Sequence, residues 1–416
     1  MLMHRIGQKE YWTHRRLVRG LYKIPYYVWE KPLRNRRLDI LRAVAVLLVL
    51  GRHAEGGPLL WKQIGWVGVD LFFVLSGFLI SGLLYTEYKK TGAIHWKRFF
   101  IRRGFKIYPA FYVMILVSIL WPLALRQKLD WHSFLPEVLF FQNYSTISYW
   151  NHTWSLAVEE HFYIFLPILL LALIRWQRNR LPENPFRAIP AICLFLSLAC
   201  LLQRVYLAWS AADLKTSWPF ILFPSHLRID SLFFGVFIGY QHHFHPVVLH
   251  RITSNWRARL LLLGASAALL SLCFVFPVIS HFMLSFGLTA LYLGFGGVLI
   301  LSLYTHGGNT PEQPLTWRRF LPGDLAAFVG KYSYSIYLWH VMVTLHYKGF
   351  LNLIWPGIGL SGLFYGYVVL SIAGGILLSL AIEYPVLELR DRLFPDFQSV
   401  HSLSSKPTLA PAGTAE

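Results

Sequence analysis

The chain has 416 residues, of which 55% are hydrophobic, 17% aromatic and only 14% charged. Because an ordinary soluble domain carries about 25% charged residues, this composition excludes a soluble globular protein. The formal charge is +19, but long apolar runs separate the cations, so nucleic acid is not the expected partner. The composition indicates a polytopic membrane protein whose basic loops face anionic membrane lipids.

The chain opens with a basic arm, assigned to residues 1–37, that carries ten Lys or Arg among Tyr and Trp. A cleavable signal peptide needs a short basic start, an apolar core and a small-residue cleavage site. The arm lacks this pattern, so we expect the first apolar segment to be retained. A transmembrane domain is predicted over residues 38–385, followed by a cytoplasmic tail over residues 386–416 whose polar end is predicted to be disordered.

Apolar runs with short polar breaks approach the roughly 20 residues that a membrane-spanning helix requires. In chain order the ten runs lie near residues 38–55, 66–86, 107–125, 154–174, 187–208, 228–242, 259–276, 282–304, 325–347 and 359–383. The predicted fold class is therefore all-α, with about ten transmembrane helices. No internal repeat of the kind found in many transporters is visible.

The orientation follows from the distribution of Lys and Arg between the runs. With a cytoplasmic N-terminus, 29 of these residues fall on the inner side. The outer segments then hold six, which are Lys62, Arg126, Lys128, Arg204, Lys215 and Lys348. Because cytoplasmic loops are enriched in Lys and Arg, this asymmetry predicts that both termini are cytoplasmic.

Ionisable residues inside the spans mark the candidate site, because each costs on the order of 3 kcal/mol near the bilayer centre. Arg42 and His53 lie eleven residues apart in the first span, which is about 16 Å along a helix. Four further spans are predicted to bring ionisable side chains to the depth of His53: Asp70, Glu159, Glu160, Arg228, Asp230 and His340. Their shared depth predicts a polar pocket near the outer face.

A basic run precedes the third span and contains Lys97, Arg98, Arg102, Arg103 and Lys106. One interpretation is ordinary positive charge on the cytoplasmic side. The other is a binding site for a donor that carries phosphates, since Arg and Lys together supply forked and point-charge contacts.

Metal binding is not expected. The three cysteines, Cys193, Cys200 and Cys273, all lie in apolar stretches, where Cys usually acts as a small buried hydrophobe. The 17 histidines form neither HExxH nor paired CxxC spacing, the patterns typical of zinc sites.

Five ordered blocks resemble the acyltransferase 3 family of integral membrane O-acyltransferases, over roughly residues 36–390. They are Arg37-Leu-Asp-Ile-Leu-Arg-Ala-Val-Ala-Val-Leu-Leu-Val-Leu-Gly-Arg-His53, Gly68-Val-Asp-Leu-Phe-Phe-Val-Leu-Ser-Gly-Phe-Leu-Ile80, Thr153-Trp-Ser-Leu-Ala-Val-Glu-Glu-His-Phe-Tyr163, Arg228-Ile-Asp-Ser-Leu-Phe-Phe-Gly235 and Tyr332-Ser-Tyr-Ser-Ile-Tyr-Leu-Trp-His340. The resemblance implies transfer of an acyl group, usually acetyl from acetyl-CoA, to a carbohydrate hydroxyl at the outer face of the cytoplasmic membrane.

The resemblance also assigns roles to individual residues. The family's Arg and His, separated by ten residues, match Arg42 and His53, and the family's histidine takes part directly in transfer. Its Arg-x-x-Arg element matches Arg103-Gly-Phe-Lys106, in which Lys keeps the charge but loses the planar fork. The donor-binding residues are therefore predicted as Arg42, Arg102, Arg103 and Lys106, and the acceptor-binding residues as Trp154, Arg228, Asp230 and His340.

The chemistry of a histidine suits this role, because its unperturbed pKa near 6.5 allows it to accept the proton of a sugar hydroxyl that attacks a thioester. A carboxylate, Asp70, Glu159 or Glu160, could orient the imidazole. Acylation of His53 before transfer is the other route, and the sequence does not distinguish the two.

A transporter of a polar or lipid-linked sugar is the alternative function, since intramembrane Asp, Glu and His suit proton-coupled transport too. The spacing of Arg42 and His53, together with the basic run, favours the enzyme. Some relatives carry an extracytoplasmic esterase-like domain, so a second transfer step here is expected to need a separate extracytoplasmic partner protein. The acceptor carbohydrate could itself be lipid-linked.

Overall fold

A computed structural model describes residues 35–177, 184–304 and 322–394, and these ranges contain helices and loops without any β-strand. Within these described ranges, ten helices of at least 16 residues form the bundle. In chain order they are α1 (Arg36–His53), α2 (Gly68–Thr91), α3 (Trp96–Ala124), α4 (Trp154–Gln177), α5 (Ile189–Ser210), α6 (Ile229–Phe244), α7 (Trp256–Val275), α8 (Leu288–Tyr304), α9 (Ser333–Ile354) and α10 (Leu360–Leu378). The predicted all-α class is confirmed.

Shorter helical segments connect and extend these ten. The α-helical ones are Leu59–Ile64, Phe134–Val138, Leu214–Ser217, Pro219–Leu222, Pro246–Ser254, Pro322–Lys331 and Tyr384–Leu393. Single 3₁₀ turns occur at Gly65–Val67, Trp131–Ser133, Gln142–Tyr144, Asn151–Thr153 and Ser225–Leu227. Two π-helical turns, at Met283–Gly287 and Ser379–Glu383, lead into α8 and out of α10.

Seven helical stretches in the described residues are long and apolar enough to cross a membrane. They are Leu59–Thr91, Trp96–Ala124, Asn151–Gln177, Ile189–Ser210, Trp256–Val275, Met283–Tyr304 and Leu360–Leu393. The multi-pass membrane character predicted from composition is therefore confirmed, whereas the count of ten spans is not. The other three long helices are α1, which contains Asp39, Arg42 and Arg52, α6, which has only 16 residues, and α9, which is rich in Ser, Tyr and His.

The sequence pattern misplaced the beginning of α3. Apolar periodicity predicts a span from residue 107, but the helix begins at Trp96 and includes the whole basic run. Lys and Arg are good helix formers, so the polar segment continues the apolar helix instead of forming a loop. The predicted basic arm and tail lie largely outside the described residues, apart from helix Tyr384–Leu393 at the beginning of the tail.

Helix α2 is at the centre of the bundle and α7 is at its periphery. In the apolar 18-residue window of the stretch that contains α2, 72% of the residues are buried, against 11% in the corresponding window of α7. Leu260 and Leu261 of α7 are 55% and 75% exposed, as expected for a face that meets lipid. Helix α2 packs against α1 on one side and α6 on another.

The crossing of α2 with α6 depends on glycine. A Cβ added at Gly77 would lie 1.9 Å from the carbonyl oxygen of Leu232, and one at Gly235 would lie 2.2 Å from that of Val74. The two backbones are therefore in direct contact, the arrangement that small residues permit between membrane helices.

Candidate active site

Two predicted site residues meet at the C-terminal end of α1. The distribution of Lys and Arg predicts that this is the outer end of the bundle. His53 is the last residue of α1 and is exposed, while His340 of α9 is completely buried. Their ring centroids are 4.9 Å apart in an edge-to-face arrangement. The expectation that the first and ninth spans bring these imidazoles to one place agrees with this contact.

A third imidazole, which the sequence reasoning missed, completes the cluster. His152 lies in the turn Asn151–Thr153, and its ring centroid is 5.1 Å from that of His340. The hydroxyl of Tyr337 donates to the carbonyl oxygen of His152 over 2.7 Å and lies 2.6 Å from the Ser155 hydroxyl. The sequence does carry a signal for Tyr337, the partner of His152. Tyr337 lies three residues before His340, which places both side chains on one face of a helix.

A buried carboxylate holds the segment that carries His152. Glu137 accepts hydrogen bonds from the Ser148 hydroxyl, the Thr153 hydroxyl and the backbone amide of Trp150, at 2.7–2.8 Å. Burial raises the pKa of Glu137, whereas these three donors act in the opposite direction. Because buried carboxylates are stabilised by such donors, Glu137 fixes the loop between α3 and α4 next to the imidazole cluster.

The predicted residues Asp70, Arg228 and Trp154 form a separate buried group. A terminal nitrogen of the Arg228 guanidinium donates to Asp70 over 2.6 Å, and both side chains are at most 2% exposed. The guanidinium lies 5.7 Å from the ring of Trp154 and 5.6 Å from that of Phe73. Asp70 is therefore the ion-pair partner of Arg228 and does not orient His53.

Asp230 and Arg204 form a second buried ion pair. Two Arg204 nitrogens donate to the two carboxylate oxygens of Asp230, over 3.1 and 2.7 Å. This bidentate contact links α5 to α6, and the substrate contact of Asp230 stays a prediction. Arg204 was counted as an outer loop cation, but it lies within α5 with no exposed surface.

Glu159 lies in a polar cluster nearer the other end of α1. Its carboxylate accepts hydrogen bonds from the hydroxyls of Ser76, at 2.8 Å, and Tyr163, at 2.6 Å. The guanidinium groups of Arg42 and Arg103 lie close enough to act on it electrostatically, and Arg103 lies 4.8 Å from the centroid of the Tyr163 ring. Glu159 therefore belongs with Arg42, and the layer predicted to contain both Glu159 and His53 is two separate clusters.

Neighbouring charges of the basic run have partners within the protein. Lys106 forms an ion pair with the buried Glu383, which also accepts a hydrogen bond from Ser335. Arg102 lies 4.0 Å from Asp391. The charge of Lys106, predicted for phosphate binding, is thus neutralised by a residue that sequence reasoning missed.

Glu160 faces a different helix from Glu159. It accepts a hydrogen bond from the Tyr108 hydroxyl over 3.1 Å, and its other carboxylate oxygen has no hydrogen-bond partner in the described residues. None of the three predicted carboxylates hydrogen-bonds to His53; their contacts are with Arg228, Ser76, Tyr163 and Tyr108.

The two clusters are linked by a single helix. Arg42 and His53 both lie in α1, so their backbones are about 16 Å apart at 1.5 Å per residue. The outer cluster, His53, His152 and His340, supplies imidazole nitrogens that can accept a proton. The inner cluster supplies the guanidinium groups of Arg42 and Arg103 beside the half-buried carboxylate of Glu159. Within the described ranges, no group of three or more His, Cys, Asp or Glu is arranged to hold a metal ion.

Three relatives that the chain resembles are named as O-acetyltransferases, one of them provisionally. The chain is 27% identical over 335 residues to the peptidoglycan O-acetyltransferase OatA of Listeria monocytogenes, covering 74% of this chain and 49% of the relative. It is 30% identical over 325 residues to a Staphylococcus aureus protein provisionally named an O-acetyltransferase, with coverage of 74% and 50%. The O-acetyltransferase OatA of S. aureus is 26% identical over 327 residues, with the same coverage.

The chain thus spans about half the length of the curated relatives it matches. No solved structure matches it. A family profile described as an acyltransferase domain matches residues 35–380, which include His53, His152, His340, Arg42 and Glu159 but not Glu383. The resemblance stated from the five sequence blocks is confirmed, and the chain belongs to the acyltransferase 3 family.

Proposed function

We propose that this protein is a membrane O-acyltransferase that transfers an acyl group, most simply acetyl, from acyl-CoA to a hydroxyl of a cell-envelope carbohydrate. The observation that carries the proposal is the placement of Arg42 and His53 on one helix, with one residue in each polar cluster. The names of the relatives support the same activity, and that of the Listeria protein points to peptidoglycan as one acceptor.

In the proposed reaction the acceptor hydroxyl oxygen bonds to the thioester carbonyl carbon while its proton passes to an unprotonated nitrogen of His53. The carbon–sulfur bond then breaks, and the imidazolium returns the proton to the departing thiolate. The products are the carbohydrate ester and the free CoA thiol. A histidine suits both steps because it can accept and donate a proton near neutral pH. A route in which His53 is acylated first has the same overall reactants and products.

The inner cluster would bind the donor. Arg103 stacks on Tyr163 and, among the described residues, forms no ion pair. Its charge is thus left for a phosphate, in contrast to that of Lys106. Arg42, bonded to Asp39 over 2.9 Å, would add a second cation on the path from Arg103 to His53. The carboxylate of Glu159 orders this region through Ser76 and Tyr163.

The proposed topology has ten spans, with both termini in the cytoplasm and the imidazole cluster at the outer face. Three observations support it: seven apolar helices, three further long helices in the same bundle, and the excess of Lys and Arg in the segments assigned to the inner side. We infer that the membrane is the cytoplasmic one, because acyl-CoA is supplied from the cytoplasm.

The test is acyl transfer in proteoliposomes. Purified protein is incubated with labelled acetyl-CoA and envelope glycans, and the glycans are assayed for label. His53→Ala and Arg42→Ala are each expected to abolish transfer while inserting at normal level, and His132→Ala, a change in an exposed loop, is expected to retain it. Full activity in His53→Ala would overturn the proposed site. Movement of glycan across the bilayer without acyl transfer would instead identify a transporter.

A further inference from the structure

Three imidazoles from three separate segments form a contiguous row at the proposed acceptor site. The ring of His340 lies between those of His53 and His152, with centroid separations of 4.9 and 5.1 Å. Among the described residues, no Asp or Glu forms an ion pair with any of the three. The row therefore contains proton acceptors without the carboxylate that usually accompanies a catalytic histidine.

Backbone carbonyls of α9 fix which nitrogen of each buried ring carries the proton. The Nδ1 atom of His340 is 2.5 Å from the Tyr337 carbonyl oxygen, and the Nε2 atom of His152 is 3.1 Å from that of Leu338. Because a carbonyl oxygen only accepts hydrogen bonds, each of these ring nitrogens must donate. The opposite nitrogens are His340 Nε2 and His152 Nδ1.

These two opposite nitrogens are buried and have no hydrogen-bond partner in the described residues. A second proton on either ring would create a buried cation without a counter-ion, which is strongly unfavourable. Both rings are thus neutral, and each presents an unshared electron pair that accepts a hydrogen bond. Next to His340 lies one exposed imidazole, that of His53, the last residue of its helix.

We propose that His340 is the positioning partner of His53, with its unprotonated Nε2 accepting the ring N–H of His53. This contact would direct the other nitrogen of His53 towards the acceptor hydroxyl, the task a carboxylate performs in hydrolase triads. The ring of His152 also contacts the His340 ring and packs against it. The inference rests on the proposed function, in which His53 accepts the hydroxyl proton.

The geometry excludes a proton relay through the row. A proton passed to His340 Nε2 could leave only from Nδ1, and Nδ1 faces the Tyr337 carbonyl oxygen, which does not take up a proton. His340 therefore orients His53 and does not carry its proton away. The hydrogen bond is expected to form when substrate is present, since such contacts are often long without it.

The experiment compares substitutions of His340 that place a hydrogen-bond acceptor at different positions of the former imidazole ring. His340→Gln puts an amide oxygen near the position of Nε2, His340→Asn puts one near Nδ1, and His340→Phe keeps the ring without any acceptor. In acetyl transfer by full-length protein in proteoliposomes, we expect kcat to fall about 100-fold in the Phe and Asn variants, as for a misplaced catalytic group. The kcat of the Gln variant should be at least about tenfold higher than that of the Phe and Asn variants. KM for acetyl-CoA should be unchanged in all three.

His346→Phe is the matched control, because His346 lies on the same helix and is exposed. Equal losses in the Gln and Asn variants, or a rise in KM with unchanged kcat, would overturn the positioning role. If the Phe variant does not fold, the comparison of Gln with Asn still decides. Failure of the proposed function is recognised separately, because then either the unchanged protein transfers no acetyl group or His53→Ala keeps full activity.

Discussion

Arg103 differs from Arg102 and Lys106 in forming no ion pair with a described residue. Lys106 is bound to Glu383 and Arg102 lies 4.0 Å from Asp391, whereas the contact described for Arg103 is with the Tyr163 ring, at 4.8 Å. We expect Arg103→Gln to raise KM for acetyl-CoA about tenfold or more, because a charge-assisted hydrogen bond contributes about 1.5–3 kcal/mol. Initial rates against donor concentration measure this effect.

Arg392→Gln is the control for Arg103, since Arg392 is exposed and paired with Glu388 one helical turn away. Its KM should equal that of the unchanged protein. An unchanged KM in Arg103→Gln would contradict the assignment of the inner cluster to the donor. An equal rise in both variants would mean that general positive charge, and not this position, attracts the donor.

Site residues that lie in the five contiguous sequence blocks could be predicted from the sequence. His53, His340 and Arg42 were identified from such blocks, and the structure assigns each to a polar cluster. Ion-pair partners were not predictable, because they depend on helix packing: Asp70 and Arg228 are 158 positions apart, and Lys106 and Glu383 are 277 apart. His152 was missed because its turn lies outside the apolar pattern used to find the spans.

At the scale of helices, the backbone contact between α2 and α6 is sensitive to a single methyl group. We expect Gly77→Ala to lower the free energy of unfolding by about 1–3 kcal/mol, because the carbonyl of Leu232 leaves no room for a Cβ. Thermal unfolding of the detergent-solubilised protein measures this loss. Gly264→Ala is the matched control: it lies within α7 and would meet nothing within 4 Å. Equal stability of the two variants would contradict the contact.

The existence of most helices was predictable from apolar runs, but their ends were not. Helix α3 begins just before the basic run and includes it, because Lys and Arg continue a helix readily. The depth of Glu159 was misjudged for a related reason. Counting residues from the predicted start of a span ignores how far each helix is shifted along its neighbours, and the contact of Glu159 with Ser76 establishes that shift.

At the scale of the whole molecule, the proposed ten-span topology predicts which introduced cysteines can be labelled from outside the cell. Lys128→Cys, in the loop after α3, should react with a membrane-impermeant maleimide in intact cells. Lys97→Cys and Arg392→Cys should react only after permeabilisation. All three native cysteines are buried, so background labelling should be low. Labelling of Lys97→Cys in intact cells would contradict the proposed orientation.

The separation of the two clusters along α1 has an electrical consequence. If the phosphates of the donor stay at Arg103 while its uncharged thioester arm reaches His53, no net charge crosses the membrane in a turnover. A full elementary charge moved through 100 mV would change the free energy by about 2.3 kcal/mol. Transfer in energised proteoliposomes should therefore continue at the same rate when an ionophore collapses the potential. A rate that follows the potential would instead mean that charged groups move through the protein.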